Sequence, residues 1–149
     1  MAAVTALSTL GGKVRMDSRG DELSIVRKAD GTLKAGWLAD ISGETAVGIN
    51  PTGNLDELGG ICLPRYDTDV DTAFTSTRLI DIVIPQGGHL YNIKIKDPSA
   101  TIYPGEPLIA IAATAGALDK VGNIESEHVA RIFDACLTGT TFATVIWGV

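Results

Sequence analysis

Apolar and polar residues alternate along several short stretches of this chain. Two such stretches flank the Gly-rich loop at residues 85–88, and their apolar positions, two residues apart, are Ile80, Ile82, Ile84, Tyr91, Ile93 and Ile95. A period of two with a Gly-rich loop between the stretches predicts a β-hairpin. The first stretch is apolar on nearly both faces and is predicted to lie inside a sheet. The second stretch also carries Asn92 and Lys94, which predicts one solvated face.

Further strands are predicted at both ends of the chain. Residues 22–29, ELSIVRKA, alternate in the same way and are followed by Asp30-Gly31, a dipeptide favoured in tight turns. Residues 141–149 are rich in β-branched and aromatic side chains, which is typical of a strand. Residues 128–136 fit a helix or a strand equally. The sequence therefore predicts an all-β protein, built as a compact barrel or sandwich.

The N-terminal region differs from the rest of the chain. Few large apolar side chains follow Leu10, and Gly11, Gly12 and Gly20 interrupt the segment. This pattern predicts an extended N-terminal arm over residues 1–22 and a single β domain over residues 23–149.

Two passages suggest that the β domain consists of two similar units, at residues 23–66 and 79–149. In each, a turn glycine precedes a short apolar stretch, and an apolar run ends later in Cys-Leu. Gly36 and Cys62 lie closer together along the chain than Gly105 and Cys136 do, so the match needs gaps. Turn-rich β chains also resemble one another by chance, and both interpretations stay open.

Composition and charge exclude several classes of protein. With 149 residues, 45% of them hydrophobic, the chain can form one domain without a disulfide or a metal ion. A net charge of -6 without a basic stripe argues against a nucleic-acid partner. No apolar run approaches the roughly 20 residues that span a bilayer, and the first residues do not resemble a secretory signal. We expect synthesis in a cytoplasm and no membrane partner.

Residues with catalytic or metal-binding chemistry are few and scattered. His89 and His128 lie in no recognisable nucleophile-base context and are predicted to be surface imidazoles. Cys62 and Cys136 belong to no CxxC pair and are predicted to be buried thiols. These features predict a structural protein rather than an enzyme, with no catalytic residue, cofactor or metal.

Three alternating acidic residues, Asp67, Asp69 and Asp71, have the spacing of a calcium loop. An EF-hand is excluded because Thr72 and Arg78 stand where the loop needs Gly and Glu. The favoured interpretation is a polar acidic linker between two halves of the chain; a weaker cation site is the alternative.

The C-terminal part of the chain, positions 80–149, resembles the head decoration, or cement, proteins of tailed bacterial or archaeal viruses. The resemblance rests on a pattern of turns, apolar positions and a terminal strand. Its residues are Ile102, Gly105, Leu108, Gly116, Leu118, Lys120, Val129, Ala130, Ile132 and the strand at 141–149.

The resemblance implies a β domain that binds the outside of an assembled capsid, often as a homotrimer, with a terminal arm that reaches neighbouring subunits. Its partner would be the major capsid protein. An arm that orders on binding covers a wide surface, and repeated sites add avidity. Interface candidates lie on the arm and on apolar residues near turns: Leu7, Leu10, Trp37, Tyr66 and Tyr103. Aromatic residues dominate binding hot spots, so Trp37 is the leading anchor, with core packing as the alternative.

Two other functions remain open at this point. One is a β-barrel that binds a small apolar ligand, which an enclosed apolar cavity would favour. The other is a tail or baseplate module of a virion, which would form rings or spikes.

Overall fold

The computed structural model describes residues 3–16, 22–49, 59–110, 115–120 and 128–149. These residues form ten β-strands and one short 3₁₀-helix, Leu7–Leu10, and include no α-helix, which confirms the all-β prediction. The strands are β1 (Ser24–Ala29), β2 (Leu38–Asp40), β3 (Thr45–Gly48), β4 (Gly59–Cys62), β5 (Leu79–Val83), β6 (Leu90–Lys94), β7 (Pro107–Ile109), β8 (Asp119–Lys120), β9 (Ala130–Ile132) and β10 (Phe142–Trp147).

The strands divide into two groups of five. Strands β1 to β5 form a closed barrel in the order β1-β3-β2-β4-β5, which we call the barrel unit. Strands β6 to β10 form a sheet in the order β6-β10-β9-β7-β8, which we call the second unit. Each strand of the barrel unit therefore corresponds to the strand five places later in the chain.

The register of the strand pairs agrees between the two units. Ala39 of β2 lies opposite Gly60 of β4, and at the corresponding place Leu108 of β7 lies opposite Ala130 of β9. The long antiparallel pairs also correspond, since β1 pairs with β5 as β6 pairs with β10. The two units are therefore similar in strand order and in register.

A parallel contact closes the barrel unit and has a counterpart in the second unit. In the barrel, β1 and β3 run parallel, with Ala29 opposite Ala46. In the second unit a single parallel bridge joins Ile95 to Leu118 at the equivalent position. The same connection is thus a short ladder in one unit and an isolated bridge in the other.

The boundaries of the two units differ from those predicted. A second unit that begins at residue 79 would include β5, but Leu79–Val83 lies in the barrel beside β1 and β4. The cysteines also do not correspond: Gly36 N–H donates to Cys62 O at 2.9 Å, whereas Gly105 N–H donates to Ile132 O at 2.8 Å. When Ile132 is taken as the counterpart of Cys62, the distance along the chain from Gly105 to Ile132 agrees with that from Gly36 to Cys62 to within one position.

The predicted hairpin around residues 85–88 is wrong, although both of its strands exist. Strand β5 pairs with β1 and β4, while β6 pairs with β10, so the Gly-rich loop connects the two units. The solvated face expected for β6 is also absent among the described residues: Asn92 is fully buried and Lys94 is half-buried.

The described part of the predicted arm, residues 3–16, packs against the β core. Leu7 and Val14 are 0% and 1% exposed. Thr141 N–H donates to Val4 O at 2.7 Å, and Asn92 N–H donates to Val14 O at 2.8 Å. The apolar side chains Leu7 and Val14 thus gain burial in the β core; residues 1–2 and 17–21 lie outside the described residues.

The interior of the barrel is filled by side chains. A Cβ built on Gly60 would lie 2.4 Å from Ile82 Cγ2, so even a methyl group has no room there. Ile41, Ile61 and Ile82 are all 0% exposed. This packing does not favour the barrel that binds an apolar ligand.

The remaining sequence predictions concern residues 128–136 and the two cysteines. The ambiguous segment contains strand β9, Ala130–Ile132, rather than a helix. Cys62 and Cys136 are buried free thiols, as predicted. Burial raises the pKa of Cys62 to about 12 and that of Cys136 to about 11, so both thiols stay protonated and unreactive.

Candidate interaction surface

A buried polar cluster, which we call the junction cluster, lies where the two units and the N-terminal segment meet. It consists of Arg15, Glu22, His89 and Tyr91. The Glu22 side chain is 1% exposed, and its Oε1 lies 2.9 Å from His89 Nδ1 and accepts a hydrogen bond from Tyr91 Oη at 3.0 Å. Arg15 Nε lies 3.2 Å from Glu22 Oε2.

The junction cluster corrects the prediction that His89 is a surface imidazole. His89 is 3% exposed and its ring stacks on Tyr91 at 6.5 Å between centroids. Its position after a Gly-rich loop suggested exposure, but that loop connects the two units and turns the ring inward. His128 is half-buried, with Nε2 3.0 Å from Val149 O. The cluster holds separate chain segments together, and its carboxylate is enclosed by the groups that it binds.

The Trp37 indole is half-buried at the contact between the units. Lys94 Nζ lies 3.4 Å from the ring centroid, and Lys94 also donates to Ala115 O at 2.9 Å. A Cβ on Gly116 would lie 3.0 Å from Trp37 Cε3. Burial and the neighbouring Lys34 lower the pKa of Lys94 to about 8. The Trp37 ring thus packs mainly against residues of its own chain, in agreement with the core-packing alternative.

Tyr66 is the most exposed large apolar side chain among the described residues, at 97%. Two ion pairs, both made by the next residue, Asp67, hold its turn in place: Asp67 pairs with Arg65 at 3.2 Å and also with Arg78. Arg65 Nη1 donates to Leu79 O at 2.7 Å, which ties the turn to β5. A ring of this kind loses little chain entropy when a partner covers it.

Tyr103 is 65% exposed and lies before β7 in the second unit. Its N–H donates to Glu106 Oε2 at 2.6 Å, and this hydrogen bond lowers the pKa of Glu106 below its ordinary value. Lys120 Nζ lies 3.3 Å from Glu106 Oε1. Tyr103 is therefore a second exposed aromatic side chain on an ordered turn.

The two leucine candidates have different surroundings from those expected. Leu7 is fully buried because its helix folds onto the β core, where its N–H donates to Asp71 Oδ1 at 3.0 Å. Leu7 is therefore a core residue and presents no contact surface. Leu10 is half-buried and packs against the core.

Two of the three alternating aspartates have structural partners. Asp67 pairs with Arg65 and Arg78, and Asp71 Oδ1 accepts hydrogen bonds from the N–H groups of Leu7 and Ser8. Among the described residues no group of three or more His, Cys, Asp or Glu side chains could hold a metal ion. The segment joins β4 to β5 within the barrel unit, so it is not a linker between two halves.

A further surface, which sequence reasoning missed, follows the outer side of β1. We call it the β1 groove; its lining residues are Val26, Arg27, Lys28, Ser42, Gly43, Glu44 and Leu79, and its volume is about 480 Å³. Val26 and Leu79 are 50% and 55% exposed. The alternation along β1 predicted that Val26 points outward, but only the fold shows which elements lie beside it.

No described helix has the length and apolar character that crossing a membrane requires. No family model matches the sequence. None of the curated proteins that were compared matches it either. Among solved structures, the chain is similar to the N base of head fiber gp8.5 in bacteriophage phi29, with 11% sequence identity and a TM-score of 0.49. The similarity covers 85% of this chain and 94% of that chain.

Proposed function

We propose that this chain is a structural protein of a tailed virus that binds the outer surface of the assembled capsid and stabilises it. Its partner is the major capsid protein, it acts as a homotrimer on the capsid exterior, and it performs no catalysis. The resemblance of residues 80–149 to decoration proteins suggests this role.

One observation carries the proposal: Tyr66 is 97% exposed on a turn that two ion pairs hold in place. Aromatic side chains are enriched in binding hot spots, and a rigid turn lowers the entropy lost on binding. Tyr103 provides a second anchor of the same kind at 65% exposure. Binding at many equivalent positions of a shell would add avidity to contacts that are individually weak.

Stabilisation would follow from mass action. A protein that binds the assembled lattice but not free subunits shifts the equilibrium toward the lattice. The filled barrel interior favours this role over the binding of a small apolar ligand, because the ligand would need an internal cavity.

The test is co-sedimentation of the purified chain with expanded capsids of the virus that encodes it. We expect saturable binding, and a loss of at least tenfold in affinity for Tyr66→Ala, since a hot-spot truncation costs about 2 kcal/mol or more. Phe133→Ala is the matched control, because Phe133 is 49% exposed and is not an interface candidate. Binding to purified tails instead of heads would favour the tail or baseplate alternative, and no binding to either would contradict the proposal.

The proposed homotrimer is tested separately by light scattering at several concentrations. A mass of three chains, alone or on the capsid, is the expected result. A chain that stays monomeric in solution and occupies the capsid as single copies would contradict the trimer while leaving capsid binding intact.

A further inference from the structure

The N-terminal segment, residues 3–16, connects the second unit to the loop that carries Tyr66. Its backbone pairs with the second unit, where Met16 N–H donates to Leu90 O at 3.0 Å. It also contacts the segment between β4 and β5, residues 63–78, which we call the Tyr66 loop. The N-terminal segment therefore bridges the sheet of one unit and a loop of the other.

Asp71 of the Tyr66 loop makes the polar part of this contact. Its Oδ1 accepts hydrogen bonds from Leu7 N–H at 3.0 Å and from Ser8 N–H at 3.4 Å. The first N–H groups of a helix have no partner within it, and Ala6, which precedes this 3₁₀-helix, provides no side-chain cap. The helix start is thus capped by a carboxylate that lies 64 positions beyond Leu7 in the chain.

Apolar contacts lie beside the polar one. A Cβ on Gly12 would lie 3.6 Å from Val70 Cγ1, so the Val70 side chain packs against the backbone of the N-terminal segment. Leu63 and Pro64, at the start of the Tyr66 loop, line one small cavity together with residues 12–15. The loop therefore faces the N-terminal segment both before and after its exposed tyrosine.

Other contacts hold the Tyr66 loop nearer to its ends. On one side Asp67 pairs with Arg65 and Arg78, and on the other Phe74 N–H donates to Leu33 O at 2.9 Å. Between these anchors, the contacts to the N-terminal segment attach the middle of the loop. Removing an anchor lengthens the stretch of chain that can move, and a partner that binds the loop then has more conformational entropy to remove.

We propose that the N-terminal segment positions Tyr66 for its partner and that Asp71 is the positioning residue of this contact. A docked segment keeps the Tyr66 loop in one conformation and a displaced segment releases it, so docking of the segment and binding of the partner are coupled. The coupling between segment and loop belongs to this chain alone, whereas its effect on binding rests on the proposed function, in which Tyr66 contacts the capsid. This role is distinct from that of an arm that reaches neighbouring subunits.

The test compares Asp71→Ala with Asp69→Ala in the full-length chain labelled with ¹⁵N. Asp69 is an exposed aspartate of the same loop, so the two variants lose the same charge two positions apart. For Asp71→Ala we expect at least tenfold faster amide exchange at Leu7, and NMR order parameters at residues 66–70 that fall from about 0.85 toward about 0.6. Asp69→Ala should leave the exchange at Leu7 unchanged.

Two further variants separate positioning from a general loss of stability. Asp71→Asn keeps an acceptor oxygen at the same place and should restore most of the protection at Leu7 and most of the order of the loop. Val70→Ala removes the contact with Gly12 and keeps Asp71, so it should lower the order parameters of the loop by a smaller amount. Both substitutions are conservative, so the coupling can be measured even if Asp71→Ala does not fold.

Two outcomes would overturn the proposal. In the first, Leu7 exchanges as slowly in Asp71→Ala as in the wild type, which would show that Asp71 does not hold the N-terminal segment. In the second, Leu7 exchanges faster while residues 66–70 keep their order, which would show that the segment does not position Tyr66.

Capsid co-sedimentation separates this proposal from the proposed function. We expect Asp71→Ala to bind about threefold or more weakly although Tyr66 is intact, because more entropy is lost on binding, and Asp71→Asn to recover the affinity. Normal binding by Tyr66→Ala would contradict the proposed function and leave the coupling within the chain supported by the NMR measurements. Normal binding by Asp71→Ala together with weak binding by Tyr66→Ala would contradict the positioning role alone.

Discussion

Strands β1 and β6 hold the same place in two units of equal strand order, yet their outer faces have opposite surroundings. Val26 of β1 is 50% exposed, whereas Asn92, its counterpart in β6, is fully buried. Residues 14–16 pair with the edge of β6, whereas among the described residues no backbone segment pairs with β1 at Ser24 and Val26, where Val26 O accepts a hydrogen bond from the Arg27 side chain. The same strand position is therefore covered by a backbone segment in one unit and only partly covered, among the described residues, in the other.

Removing the carboxylate of the junction cluster should have the largest effect on this arrangement. Glu22→Ala removes the buried acceptor shared by His89 and Tyr91 and leaves Arg15 without its ion-pair partner, and we expect a loss of about 3–5 kcal/mol in the free energy of unfolding. Urea denaturation measures it. The control Glu44→Ala, at an exposed turn, should change stability by less than about 0.5 kcal/mol. A loss below about 1 kcal/mol for Glu22→Ala would show that the cluster does not hold the units together.

Substitution at the two equivalent edge positions should give unequal results. Asn92 Nδ2 donates to Lys13 O at 2.7 Å and Asn92 Oδ1 accepts from Thr144 Oγ1 at 2.6 Å, both in a buried site. Asn92→Ala is expected to cost about 2–3 kcal/mol, because it leaves buried polar groups unpaired. Val26→Ala should cost less than about 0.5 kcal/mol, since half of the side chain is exposed. Equal losses in thermal or urea denaturation would contradict the difference between the two edges.

The interiors of the two units can be compared at Gly60 and its counterpart, Ala130. Gly60→Ala should cost about 1–2 kcal/mol, because its methyl group would lie 2.4 Å from Ile82 Cγ2. Ala130 already carries that methyl group opposite Leu108, and Ala130→Gly should cost about 1 kcal/mol through backbone freedom. If Gly60→Ala stabilised the protein in a urea titration, the barrel interior would have space that the packing does not show.

The smallest expected effect concerns pH. The pKa of Lys94 is lowered to about 8 from 10.5, so below pH 8 both the folded and the unfolded states carry the proton. Between pH 8 and 10.5 the unfolded state binds more protons, and the contribution of Lys94 to stability rises with pH. We expect the wild type to gain about 1 kcal/mol relative to Lys94→Met over this range, far less than the whole shift would give, because the side chain is half exposed. Urea titrations at each pH measure the difference, and a constant difference from pH 7 to 10 would contradict the prediction.

The long strands of this fold could be predicted from the sequence, but their partners could not. Alternation identified β1, β5 and β6, and the β-branched and aromatic composition of residues 141–149 identified β10. The Gly-rich loop after β5 then suggested a hairpin, since local pattern does not reveal that β5 and β6 belong to different units. Short strands such as β8, with two residues, carry too little pattern to be found.

The sequence suggested that the two units are similar, but it aligned them at the wrong residues. Identical Cys-Leu pairs aligned Cys62 with Cys136, whereas the hydrogen bonds of the turn glycines align Cys62 with Ile132. Residue type is a poor guide here, because each unit needs only an apolar side chain at that position. Part of the second passage, residues 111–114, lies outside the described residues.

Exposure of the candidate site residues was predicted unevenly. Tyr66 and Tyr103 lie beside turn signals in the sequence, and both are exposed. Leu7 and His89 are buried by contacts with residues distant in the chain, such as Asp71 and Glu22, which no local pattern encodes. The β1 groove could not be predicted either, because its lining comes from β1, β5 and the segment between β2 and β3, and local pattern does not show that these elements are neighbours.

The most direct test of the account is native-state amide hydrogen exchange, measured by NMR on the free protein at Val26 and Asn92. The account predicts that Asn92 exchanges at least tenfold more slowly, because its N–H donates to Val14 O, whereas no described residue accepts a hydrogen bond from Val26 N–H. Equal protection at the two amides would contradict the claim that the chain's own residues 14–16 cover the edge of β6 while the edge of β1 at Val26 has no such cover.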